Sequence, residues 1–200
     1  MSIATYAELL AATAAYTDRD DLATVFPYFL RKVEATLNRR LEDPDMELIS
    51  TATAAGELTA LPADFGSMVS VTTSSGYPLR AMGSVEYAGL DATLTGIERF
   101  YVIVDGSIGF YPRDTTAPIR MVYRRTIPAL TNIATTNWLL TRAPDVYHFG
   151  ALFEEALWDR DDKAAQGWKA LFEQAVSELI VDGTRRKWGA GPISPRIRRT

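Results

Sequence analysis

Hydrophobic positions recur at helical spacing at both ends of this chain and fall into short runs through its middle. The clearest helical pattern runs from Asn137 to Lys187. Pro144 suits a first helical turn, where its missing N–H would have no intrahelical partner, and Asp145 complements the positive end of the helix dipole. From there Val146, Phe149, Gly150, Phe153 and Leu157 share one face, and Tyr147, Ala151 and Trp158 widen it, which predicts a central helix with protein on more than one side. Asp159-Arg160-Asp161-Asp162 breaks the pattern with acids suited to capping. A second helix follows, with Ala164, Ala165, Trp168, Leu171, Phe172, Ala175, Val176 and Leu179 on one face. The expected element is a helical hairpin.

Two further helices are predicted near the start. Thr5 to Tyr16 places Tyr6, Leu9, Leu10 and Thr13 on one side, and Val25 to Leu41 has Pro27 in its first turn and a stripe of Phe26, Phe29, Leu30, Val33, Leu37 and Leu41. Arg31, Lys32, Arg39 and Arg40 lie largely opposite that stripe, on a face read as solvated, with a subunit contact as the alternative. At Asp43-Pro44-Asp45 the period changes. Strands are expected over Glu47–Thr53, Glu57–Leu61, Met68–Thr73, Tyr77–Arg80, Phe100–Val104, Ser107–Tyr111 and Ile119–Arg125, with turns at Ser75-Gly76 and Asp105-Gly106 and a short helix from Ser84 to Leu90 capped by Ser84. Ile127 to Thr136 reads as a linker back into the helices. The expectation is an α+β chain: an antiparallel helical bundle split between 1–45 and 127–188, an inserted β-rich module at 46–126, and an extended arm at 189–200.

The glycine, proline and arginine content of that arm suits a segment that orders on a partner. Charge marks the same boundary. Residues up to 184 carry −10 and those after it +6, from Arg185, Arg186, Lys187, Arg196, Arg198 and Arg199. An acidic body therefore ends in a basic strap, and the absence of cysteine excludes disulfides and thiolate chemistry. No apolar run reaches the roughly 18 residues of a membrane span, and the first residues lack a signal-peptide pattern. The expectation is a protein that stays where it is made.

Chemistry is sparse. His148 is the single histidine, read as structural, so triads and two-histidine metal sites lack their parts. Asp43-Pro44-Asp45 and Asp159-Arg160-Asp161-Asp162 lack the acid and glycine spacing of a calcium loop and are read as turn and capping residues. Of the four tryptophans, Trp138, Trp158 and Trp168 are assigned to the core, while Trp188 stands beside the arm. No cofactor is expected.

Five groups together carry a resemblance along nearly the whole chain. They are Tyr6-Ala7-Glu8-Leu9-Leu10, Val33-Glu34-Ala35-Thr36-Leu37-Asn38-Arg39, Leu61-Pro62-Ala63-Asp64-Phe65, Asn137-Trp138-Leu139-Leu140-Thr141-Arg142, and Pro144-Asp145-Val146-Tyr147 followed by Gly150-Ala151-Leu152. The chain resembles the head-to-tail adaptor proteins of tailed bacteriophages, also called head-completion or connector proteins. Gly167 and Trp158 depart from the family's pattern. The resemblance implies a structural virion protein of the head–tail neck, assembled in the host cytoplasm as a homo-oligomeric ring, in the family's usual form a dodecamer. Its implied partners are the portal protein and tail or neck proteins, with genome DNA passing through the lumen unbound and no membrane contact. It implies no active site. The portal-docking residues assigned on this basis are Arg185, Arg186, Lys187, Trp188, Ile193, Arg196, Ile197, Arg198 and Arg199. Two alternatives stand beside it: a DNA-contacting module using the basic arm, and a carboxylate-metal hydrolase using the aspartates.

Overall fold

The computed structural model describes residues 3–53, 58–91, 93–112 and 118–189. The chain is α+β. Among the described residues, those up to Asp45 and from Ile127 onward form one compact unit, and Met46–Thr126 form another.

In the helical unit, α1 (Tyr6–Thr17) starts at a capping box in which the Thr5 hydroxyl accepts from the Glu8 N–H and the Glu8 carboxylate accepts from the Thr5 N–H. Helix α2 (Phe26–Arg40) has Pro27 in its first turn and buries Phe26, Phe29, Leu30, Val33, Glu34 and Leu37. Two helices occupy the stretch where one start was expected. Asn137 caps the short α4 (Trp138–Arg142) by accepting from the Leu140 N–H at 2.9 Å. Ala143 then leaves the helical region, because the ring of Pro144 disfavours an α conformation in the residue before it. Pro144 opens α5 (Pro144–Trp158), and Asp161 caps α6 (Asp162–Trp188) through the N–H groups of Lys163 and Ala164.

The wide apolar face of α5 is explained by its neighbours: α1, α2, α4 and α6 all pack on it. Gly150 marks a close approach, since a Cβ there would lie 2.9 Å from both methyls of Val33 and 3.1 Å from the Phe172 ring. Three helices meet at a point where only a hydrogen fits. The predicted stripes run too far at their edges, for Leu157 and Leu171 are exposed. Trp158, assigned to the core, is 46% exposed, its ring edge-on to Phe29 and covered by the Arg19 guanidinium. Gly167 has open space where a side chain would be. The basic side of α2 is partly used within the chain: Lys32 pairs with Glu154 of α5, and Arg40 forks onto Glu173 of α6 at 2.9 and 2.6 Å.

The linker back from the insert is held by buried polar groups rather than by regular structure. Asn38 accepts from the Ile127 N–H, and Glu34, one turn earlier on α2, accepts from the Leu130 N–H at 2.8 Å and the Tyr147 hydroxyl at 2.9 Å. The Asn137 amide donates to that hydroxyl and to the Pro128 carbonyl, both at 2.7 Å. A segment without its own hydrogen-bonded ladder thus has the N–H groups of its buried Ile127 and Leu130 paired by side chains of α2.

In the β unit, β1 (Glu47–Thr53), β7 (Pro118–Arg125) and β3 (Phe65–Thr73) form one antiparallel sheet in the order β1-β7-β3. The other sheet has the order β2-β6-β5-β4, from β2 (Thr59–Ala60), β6 (Ser107–Tyr111), β5 (Phe100–Val104) and β4 (Arg80–Ala81). Both sheets bury side chains in one core of Ala52, Val71, Leu79, Ile108, Phe110, Ile119 and Met121. The alternation along β7, with Ile119, Met121 and Tyr123 inward, is what a strand with one face on a core requires.

Four expectations shift here. The strand expected from Met68 begins at Phe65 and carries two register shifts; the one expected over 57–61 shortens to Thr59–Ala60, with Glu57 outside the described residues. The one expected over Tyr77–Arg80 is displaced to Arg80–Ala81, because Pro78 lacks the N–H of a continuous ladder and makes an isolated bridge to Thr72. Ser84 is the first residue of α3 (Ser84–Ala88) rather than its cap, a position held by Gly83 without a side-chain bond.

Asp64 of the Leu61-Pro62-Ala63-Asp64-Phe65 group ties the start of β3 to the end of β7, its carboxylate accepting from the Tyr123 hydroxyl and its carbonyl from the Thr126 N–H. Between β5 and β6, Asp105 and Gly106 both have positive φ, at 48° and 66°, as a two-residue hairpin turn requires. Gly106→Val is therefore expected to cost about 1–2 kcal/mol, the penalty of a left-handed conformation for an L residue. All four tryptophans lie in the helical unit. Urea unfolding followed by far-UV circular dichroism at strand wavelengths should shift, while the tryptophan-detected curve stays in place; equal shifts in both would show that the two units unfold as one.

Candidate docking site at the end of the long helix

α6 has 27 residues and α5 has 15, so α6 outruns its neighbour by about 18 Å at 1.5 Å per residue. Its last buried large side chain is Leu179. Beyond that point Val181 and Trp188 are 50% and 57% exposed. Arg185, Arg186, Lys187 and Trp188, four of the residues assigned to docking, form the final turn, and Gly189 ends the helix with a φ of 72°. Ile193, Arg196, Ile197, Arg198 and Arg199 lie outside the described residues.

The final turn is fastened by charge. Arg142, at the end of α4, donates through one Nη to both carboxylate oxygens of Asp43 at 2.7 Å and to Asp45 at 3.1 Å, and through the other to Asp182 of α6. Arg186 forks onto Asp45 at 2.6 and 3.0 Å and approaches Asp43 at 3.8 Å. Asp43 is 3% exposed, and its carboxylate also accepts from the Asp45 N–H, which fixes the turn after α2. Gly183 makes room for it: a Cβ there would sit 2.5 Å from an Asp43 oxygen. The hydrogen bonds from Arg186 hold the Asp45 carboxyl below its ordinary range, and the same bonds raise Arg186. Asp43-Pro44-Asp45 therefore serves as the seat for two guanidinium groups.

The second aspartate cluster is likewise occupied with local structure. Asp159 pairs with Arg19, Asp161 caps α6, and Asp162 stands in its first turn. His148 is buried between the Tyr16 ring, edge-on at 5.0 Å, and Phe149, stacked at 6.0 Å; burial lowers its pKa. That environment is a packing role.

The basic residues at the end of α6 are visible in the sequence, but the acids that Arg186 pairs with are not. Arg142 and Asp43 are 99 residues apart, Arg186 and Asp45 141 apart. No local spacing joins them. The one available signal was that Asp43-Pro44-Asp45 concentrates charge at a helix boundary and that Arg142 closes the Asn137 group. A family model described as SU10 adaptor protein matches residues 4–197. No curated protein sequence matches the chain.

Proposed function

This chain belongs to the SU10 adaptor protein family, and from that premise we propose that it forms the ring that docks beneath the phage portal and joins the DNA-filled head to the tail. Family membership makes it a phage adaptor, a virion component that works through contacts with other head and tail proteins. The portal as the docking partner, the closed ring and its dodecameric size are the proposed part.

The observation that carries the docking reading is the split of charge at the end of α6. Up to residue 184 the chain carries −10, and the residues beyond carry +6 with no acid among them. A basic segment with Ile193 and Ile197 between its arginines suits a partner surface with acidic groups and apolar clefts. One such segment makes a small contact, but a ring presents many copies and the summed attachment is tight. An acidic body lining a channel would let duplex DNA slide without adhering.

Deleting residues 189–200 is expected to leave a folded protein that no longer co-sediments with portal rings. Undiminished co-sedimentation would remove the docking reading. A DNA-binding assay at low and moderate salt runs beside it, and loss of DNA affinity on deletion, with portal binding intact, would establish the DNA-contacting alternative.

A further inference from the structure

We propose that Asp43, Asp45, Arg142 and Arg186 form an ionic clip that fixes the last turns of α6, and so sets the place from which the C-terminal segment reaches its partner. In this role the four are positioning residues, and the inference rests on the docking reading above.

Three observations lead to it. First, the end of α6 is not held by apolar burial: past Leu179 its large side chains Ile180, Val181 and Trp188 are exposed, and the one buried residue is Gly183, which faces the Asp43 carboxylate. Two or three helical turns without a packed face are marginal in water, so something else must hold them. Second, the clip joins three distant pieces of chain, the turn after α2, the end of α4 and the end of α6, within one unit. Third, its inner pair is enclosed. An exposed ion pair contributes little to stability, but Asp43 is almost fully buried and receives Arg142 on both oxygens. Removing either partner would strand a charge.

The clip also uses Arg186, the second cation of the basic segment, inside the chain rather than on a partner. What it supplies instead is preorganisation. A segment whose root is fixed loses less freedom on docking than one whose root frays, and the saving repeats at every copy of a ring.

The test uses the full chain, which has no native cysteine and so accepts a single pair of labels cleanly. Spin labels at Ala35→Cys on α2 and Thr184→Cys on α6, both exposed, report the position of the helix end. Asp45→Asn and Arg186→Gln, on the solvent side of the clip, should each broaden the distance distribution in the absence of any partner and weaken co-sedimentation with portal rings about tenfold. Arg186→Lys should retain most of both. Gly183→Ala, which crowds Asp43, should resemble the broken clip. Asp45→Asn is the discriminating variant, because a direct contact between Arg186 and the portal predicts unchanged or stronger binding once its internal acid is gone. That outcome, or an unchanged distance distribution in both single variants, overturns the clip. The distance measurement needs no portal, so it judges the clip even if deletion of 189–200 removes the docking reading.

Discussion

Replacing Phe172 with alanine is expected to lower the stability of the helical unit by about 3–5 kcal/mol, the range for truncating a buried aromatic side chain. Phe172 is 4% exposed, and its ring stands against the point where Gly150 lets α5 approach α2. A cavity there removes contacts from three helices at once, and rigid neighbours cannot collapse into it. Urea unfolding read by tryptophan fluorescence measures the loss. Gly150→Val should also destabilise, by crowding the same junction, at about 1–3 kcal/mol. A loss below about 1 kcal/mol for Phe172→Ala would place the ring outside the core and contradict the packing of α6 on α5.

The second large effect is expected at Glu34. Glu34→Ala leaves the Leu130 N–H and the Tyr147 hydroxyl without their acceptor in a buried place, at about 1–3 kcal/mol for each stranded group. Glu34→Gln should behave differently. Both bonds are accepted by one oxygen, which an amide retains, while the charge that burial opposes is gone. Burial raises the Glu34 carboxyl above its ordinary range, partly offset by the Leu130 and Tyr147 hydrogen bonds. A raised folded-state pKa means that the native protein holds this proton more tightly than the unfolded chain does. Its contribution is therefore full below the unfolded value of about 4.3 and declines as pH rises through the folded value. Subtracting the Glu34→Gln stability curve from the native one between pH 4 and 8 should expose that decline. A flat difference would show that Glu34 is not titrating in a desolvated site.

These two experiments also mark how far the sequence could be read. Phe172 was legible because a helix repeats every 3.6 residues, so a buried face writes itself into residue spacing. The hairpin at Asp105-Gly106 and the strands 47–53, 100–104 and 107–111 were legible for a related reason, since turn chemistry and β-branched runs act over a few residues. Glu34 was visible only as a member of a family-like group. Its partners, Leu130 and Tyr147, come from a linker and a helix about a hundred residues away, and a carboxylate on a helix looks the same in sequence whether it faces water or an N–H. Trp158 failed for a similar reason: its spacing fits the apolar face of α5, but it stands at the end of the helix, where the Arg19 guanidinium and Phe29 leave it half in solvent.

By itself, then, the sequence determined what depends on near neighbours along the chain. That covers the long helices, most of the strands, the turns, the acidic body and its basic end, and the groups that resemble the adaptor family. The tertiary structure decided which charges are neutralised. Arg185, Arg186 and Lys187 form one basic run in the sequence, yet Arg186 is committed to Asp45, and Asp43 with Asp45 is a guanidinium seat rather than a free acidic pair. Electrostatic attraction acts through space and depends on distance and burial, neither of which residue order records. The fold places the turn after α2, the end of α4 and the end of α6 within hydrogen-bonding reach, and only then does a charge at position 43 have a partner at position 142.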